Sequence, residues 1–270
     1  MRVLFIGDVV GRPGRAAVER FVRNLREERE IDFVVANCEN AAGGSGITPS
    51  VADELFRAGV DALTSGNHVW RVKEGVELLK LDPRVLRPAN YPDRAPGSGS
   101  VVLETLGGAK VGLLNLQGRV FMDPVVDCPF RTAEREVQRL RLSTSVILVD
   151  MHAEATSEKV ALGWFLDGKV SCIVGTHTHI QTADERILPK GTAFLSDLGM
   201  TGPYDSVIGR DTQAILERFL SGVPNKAEVA SGNVQLRGAL VEIDQATGKA
   251  TQIERVAEML NEPVRDVVRD

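Results

Sequence analysis

Short apolar runs, rich in β-branched residues, recur along the chain at 3–7, 33–37, 62–65, 111–116, 146–150 and 172–175. Most lack polar alternation, the pattern of strands covered on both faces. Between them the period changes to that of a helix. Residues 15–28 bring Val18, Phe21, Val22 and Leu25 onto one face, and 131–142 and 157–166 supply two more helices. Thr48-Pro49 gives an N-cap and a first-turn proline to a helix ending at Gly59. This strand–helix–strand rhythm predicts a layered α/β domain with a largely parallel sheet. The rhythm breaks late. Segments 185–188 and 192–196 flank Pro189-Lys190-Gly191, while 234–243 and 250–256 flank Gln245-Ala246-Thr247-Gly248. Both connections read as turns, which predicts antiparallel strands added to the same body. No repeat or linker interrupts the pattern, so 1–270 reads as a single domain.

The polar residues that interrupt this pattern fall at strand ends. Asp8 ends the first run, Glu39-Asn40 follow the second, and Asn67-His68 follow the third. His152 lies just past 146–150, and His177 and His179 just past 172–175. The carboxyl ends of parallel strands share one edge, where ligands bind, so these residues should converge. A lone histidine at a strand end is more often a solvated polar residue than a ligand. Here all four histidines of the chain occupy such positions, beside Asp, Glu and two Asn. That combination points to a metal centre.

Imidazole, carboxylate and amide donors without thiolate suit iron or manganese, with zinc as a third option. Seven candidate ligands (Asp8, Glu39, Asn40, Asn67, His152, His177 and His179) exceed the needs of one ion. Two ions about 3.5–4 Å apart, sharing one carboxylate, would stabilise both the attacking and the departing oxygen in phosphoryl transfer.

Composition narrows the partners. The net charge of −5 over 270 residues comes with no lysine- or arginine-rich block, which argues against a duplex nucleic-acid partner. A small anionic substrate remains compatible, because bound cations dominate the local field. Cys38, Cys128 and Cys172 are odd in number and form no CxxC pair, so neither a disulfide framework nor a thiolate zinc site is expected. The apolar start meets Asp8 too soon for a signal peptide, and no run approaches the ~20 residues of a membrane span. A cytoplasmic protein with no membrane partner is the expectation.

Gly66-Asn67-His68 and Gly175-Thr176-His177-Thr178-His179 resemble the Gly-Asn-His and Gly-x-His-x-His signatures of calcineurin-like metallophosphoesterases. A closer resemblance, to the YmdB-like branch of bacterial phosphodiesterases, rests on GDVVGRPGR at 7–15, NAAGGSGIT at 40–48 and SGNHVW at 65–70. It continues through DMHAEATSEK at 150–159, GTHTHIQTADERILPKGT at 175–192 and SDLGMTGP at 196–203. Two departures from the wider superfamily stand out: Asp8-Val9-Val10 lacks the usual histidine, and Asn37-Cys38-Glu39-Asn40 replaces a Gly-Asp motif.

The branch resemblance implies that Glu39 bridges two ions and that Asn40 substitutes for the missing histidine. One site is then Asp8, Glu39, Asn40 and His179, and the other Glu39, Asn67, His152 and His177. The resemblance further implies a four-layer α/β/β/α fold with mixed sheets around a parallel βαβ core. It also implies hydrolysis of 2′,3′-cyclic nucleotides by a metal-bridging hydroxide, with His68 as proton donor. A phosphomonoesterase, or a nucleotide-sensing regulator without activity, would use the same ligands; a homo-oligomer is compatible with either. Among the remaining residues, Glu154 and Glu158 read as solvent-facing or helix-capping, and Trp70, Trp164 and Phe165 as core. Asp197 reads as a support for the ligands, and 42–46 equally as a phosphate nest or a flexible loop.

Overall fold

The computed structural model describes residues 1–260; the single-domain expectation over 261–270 lies outside the described residues. In chain order the elements are β1 (Arg2–Ile6), β2 (Asp8–Val9), α1 (Gly11–Glu28), β3 (Phe33–Asn37), α2 (Pro49–Arg57), β4 (Ala62–Thr64) and α3 (Lys73–Leu81). There follow β5 (Ser100–Glu104), β6 (Lys110–Gln117), α4 (Pro129–Leu140), β7 (Ile147–His152), α5 (Thr156–Leu166) and β8 (Cys172–Thr176). The last are β9 (Arg186–Ile187), β10 (Ala193–Leu195), β11 (Met200–Pro203), α6 (Thr212–Ser221), β12 (Val234–Ile243) and β13 (Ala250–Met259).

These strands form two mixed sheets. The first runs β2-β11-β12-β1-β3-β4, with β13 also paired to β12; the second runs β5-β6-β7-β8-β10-β9. Parallel pairing joins β1 to β3 and β3 to β4 in one sheet, and β6, β7, β8 and β10 in the other. The late segments pair antiparallel, β12 with β13 and β9 with β10.

Alternation along β1 shows how the layers arise. Val3 and Phe5 join Val35, Leu113, Leu148, Val174 and Val241 in a core between the sheets. Leu4 and Ile6 face the other way, against Ala17, Val18 and Val22 of α1. On the far side, Ile147, Val149 and Ile173 pack against Val137 of α4 and Leu162 of α5. Each sheet therefore has one face on its partner and one under helices, the α/β/β/α arrangement. Because both faces are apolar, the strands read as continuous hydrophobic runs.

Two glycines let the backbone pass where a side chain could not. A Cβ on Gly7 would lie 1.9 Å from the Gly199 carbonyl oxygen, and one on Gly175 would lie 1.8 Å from that of Ser196. The first close approach aims Asp8, the second the loop carrying His177 and His179. Thr48 caps α2 as expected, its hydroxyl accepting from the Val51 amide at 3.3 Å.

Two expectations fail. Trp164 is 53% exposed rather than core, because Leu162, Gly163 and Leu166 take the sheet-facing side of α5. Glu158 is buried rather than solvated; its carboxylate accepts from the Arg119 and Val120 amides at 3.1–3.2 Å and so anchors the loop after β6. Trp70 and Phe165 are partly buried and pack edge-on against Tyr91 and Phe130. The pattern also left α3, β5 and α6 unmarked; α6 buries none of its residues, so no packing constraint writes a stripe into it. Among the described residues, no helix is long and apolar enough to cross a membrane.

Candidate metal centre

All eight residues singled out at the strand ends meet at one edge of the two sheets. Asp8, Glu39, Asn40 and His152 are almost wholly buried, His179 is nearly so, and His68 and His177 are partly open to solvent. Glu39 is the centre of the group. Its Oε1 lies 3.1 Å from Asn40 Nδ2, and its Oε2 lies 3.1 Å from His152 Nε2. Beyond Asn40 stands His179, with Nε2 3.2 Å from Asn40 Nδ2 and 3.9 Å from Asp8 Oδ1. Beyond His152 stand His177 Nδ1 and Asn67 Oδ1, each 3.1 Å from His152 Nε2. The two carboxylate oxygens thus face two different sets of donors.

The histidine tautomers follow from what lies behind each ring. The Thr176 hydroxyl donates to Asp150 Oδ1 at 2.7 Å, so at 2.9 Å it accepts from His152 Nδ1. His179 Nδ1 donates to the Ile208 carbonyl at 3.0 Å, and His177 Nε2 faces Glu154 Oε2 at 3.2 Å. Each outer nitrogen donates to the group behind it, which turns the other nitrogen of the ring into the cluster. His177 and His179 both hold left-handed backbone, at φ 100 and 65, a strained state that persists only where its surroundings enforce it.

Such an arrangement fits a cation. Glu39, His152 and His177 offer ligand atoms within 4.8 Å of one another. Asp8 Oδ1 is buried without a hydrogen-bond partner, and burial pushes its carboxyl up to about 6 against the pull of His179 and His152. Burial works against a charge on His152, yet Glu39 outweighs it and raises the imidazole to about 9. Burial, aided by His152, drives His177 down to about 3. Glu39 itself is held well below the usual carboxylate range, since His152 and His68 overcome its desolvation. A buried carboxylate with an unused lone pair and imidazole nitrogens turned towards one point is what a metal ion would satisfy. A half-turn of the Asn40 amide exchanges its oxygen and nitrogen without changing its shape, and a cation beside Glu39 would favour the oxygen turned inward, with the nitrogen then towards His68.

The group behind the candidate ligands is not marked by the sequence as part of the centre. Asp150 is buried and accepts from Thr64 Oγ1 at 2.5 Å, Thr176 Oγ1 at 2.7 Å and Asn37 Nδ2 at 3.0 Å. The signal was present: Asn37, Thr64 and Asp150 are polar residues within otherwise apolar runs, and Thr176 directly follows one. Replacing Thr176 by Val keeps the shape and removes the hydrogen bond that orients His152. Metal affinity, read by competition with a chelator, is expected to fall by roughly 10–100-fold, as for other groups supporting a ligand. Unchanged affinity would show that Thr176 does not set the ring.

A cleft of about 290 Å³ opens onto the cluster, lined by Glu39, Asn40, His68, Glu154, His177 and His179 together with Val10, Gly44, Thr178, Ile208 and Arg210. This is near the lower end of the ~300–1,000 Å³ range of small-molecule sites.

Comparison with known proteins agrees with this architecture. Residues 4–256 match the family described as YmdB-like protein. The chain is 47% identical over 256 residues to the 2′,3′-cyclic-nucleotide 2′-phosphodiesterase of Bacillus subtilis (strain 168), covering 95% of this chain and 96% of that protein. Among solved structures, a hypothetical protein from Thermus thermophilus superposes with TM-score 0.90 at 42% identity, covering 96% of this chain and 99% of the other. A novel phosphatase from Mycoplasma pneumoniae also gives 0.90, at 34% identity, with 96% and 93% covered.

Proposed function

Since the chain belongs to the YmdB-like family, we propose that it is a dinuclear metal-dependent phosphodiesterase acting on 2′,3′-cyclic nucleotides. The observation that carries this is the placement of Glu39, whose two carboxylate oxygens face separate donor sets with His68 alongside. Asp8, Glu39, Asn40 and His179 would hold one ion, and Glu39, Asn67, His152 and His177 the other. Iron or manganese is preferred to zinc, because amide and carboxylate oxygens make a hard donor set. When bound, such ions supply an activated water and neutralise charge on the phosphoryl oxygens.

The chain's own groups position and protonate. His68 Nδ1 is 2.9 Å from Asn40 Oδ1, and its backbone amide donates to Glu39 Oε2 at 3.1 Å, so the ring is fixed while its edge remains partly open to the cleft. An imidazole so held can deliver a proton to the departing sugar oxygen. His68→Ala is expected to lower kcat for 2′,3′-cyclic nucleotides by about 10²–10⁴-fold with metal content intact. A p-nitrophenyl diester, whose leaving group needs no proton, should lose far less. Equal losses on both substrates would leave His68 as a positioning group.

The function itself is tested by turnover of the metal-reconstituted protein on 2′,3′- and 3′,5′-cyclic nucleotides, bis(p-nitrophenyl) phosphate and p-nitrophenyl phosphate. Preferred cleavage of the 2′,3′-cyclic nucleotides is expected. Exclusive monoester cleavage would overturn the reading, and tight nucleotide binding without turnover would favour a regulatory protein. We place this single catalytic unit in the cytoplasm, where its free thiols, two of them buried, stay reduced.

A further inference from the structure

One wall of the cleft is a continuous run of contacts: His68 to Asn40 at 2.9 Å, Asn40 to His179 at 3.2 Å, and His179 Nδ1 to the Ile208 carbonyl at 3.0 Å. The run ends in a tightly pinned turn. Ser206 Oγ accepts from the Gly209 amide at 2.9 Å, and Val207 and Arg210 exchange backbone hydrogen bonds at 2.9 and 3.0 Å. Ile208 sits at φ 45, a conformation that a β-branched residue adopts only under constraint. That constraint leaves its apolar side chain 51% exposed on the cleft.

Arg210 lies on the same wall and, among the described residues lining the cleft, is the only Arg or Lys. Its guanidinium donates to the carbonyl oxygens of Gly44 and Ala227, which occupies two of its five N–H donors. Gly44 makes room for it: a Cβ there would lie 2.6 Å from Arg210 Nη1. The proposed hydrolytic step uses neither the Ile208 side chain nor the Arg210 guanidinium.

We infer that this turn is the nucleoside subsite of the cleft, with the Ile208 side chain against the sugar and base and Arg210 donating to acceptors on the base edge. The inference rests on His68 being the proton donor of the proposed reaction. The departing oxygen belongs to the sugar, so the nucleoside must lie on the side of His68, along the wall that continues to Ile208. Beside His177 the cleft carries Glu154 instead, which repels the carbonyl oxygens and ring nitrogens that a guanidinium attracts. An apolar face beside one placed polar group is the usual make-up of a small-molecule site.

Calorimetric titration of the manganese-loaded protein with guanosine 3′-monophosphate and with inorganic phosphate tests this. Wild type should bind the nucleotide more tightly than phosphate. Ile208→Asn, a residue at ease in left-handed backbone, and Arg210→Gln should each raise the nucleotide Kd by about tenfold while moving the phosphate Kd less than about twofold. Equal losses for both ligands would mean that the turn acts only through His179, and unchanged nucleotide binding would remove the subsite. Either result overturns the inference. Failure of the wild type to turn over 2′,3′-cyclic nucleotides is a separate outcome and counts against the proposed reaction.

Discussion

Replacing Glu39 by Gln is expected to empty both halves of the metal centre and to lower phosphodiester turnover by roughly 10³-fold or more, a loss of about 4 kcal/mol in transition-state stabilisation. Gln fills the same space, but it lacks the charge and the second anionic oxygen. Glu39 is 1% exposed, with one oxygen facing Asn40 and the other facing His152, so the change falls on both sides of the centre. Asn40→Ala, by contrast, removes a donor from one side only and should leave about one ion per chain. Elemental analysis of the purified variants gives the stoichiometry directly. A Glu39→Gln protein that retains two ions would overturn the bridging role, and one that retains one would place Glu39 on a single ion.

The candidate ligands are legible because a site at the carboxyl edge of parallel strands leaves a mark in sequence: a polar residue just after an apolar run. Asp8, Asn67 and His152 are all read that way, and the two sheets bring them together. The residues packed behind the candidate ligands leave a weaker mark. Asp150 reads only as the end of the 146–150 run and Thr176 only as part of the Gly-x-His-x-His signature, since their burial and the hydrogen bond between them appear only when β7 and β8 lie side by side. Glu158 was misread for a similar reason. Its partners are amides of a loop about forty positions earlier, and nothing in its own helix indicates that the carboxylate is buried. Arg210 leaves no local mark, because its contact with the Gly44 carbonyl spans 166 residues. Local periodicity reports which face of an element is covered. It does not report which polar group lies opposite.

Lys159 shows the same limit and carries the largest expected effect on stability. Its side chain is among the largest fully enclosed in the molecule, at 2% exposure. From α5 the ammonium donates to the Thr176 carbonyl at 3.0 Å and to Asp197 Oδ2 at 2.7 Å. Asp197, 1% exposed, also accepts from the Thr178 amide and hydroxyl through Oδ2 and from the Gly199 amide through Oδ1. The pair therefore grips the loop on both sides of His177. Lys159→Met keeps the length of the side chain and leaves a buried carboxylate without its counter-charge, which is expected to cost about 3–5 kcal/mol. For a domain of this size that corresponds to a fall of roughly 10 °C in thermal midpoint. Lys159→Met/Asp197→Asn should recover most of the loss, because no uncompensated charge remains. The recovery separates an electrostatic penalty from a packing defect: if the double variant melts no higher than the single one, the aliphatic stem of Lys159 rather than its charge supports the loop.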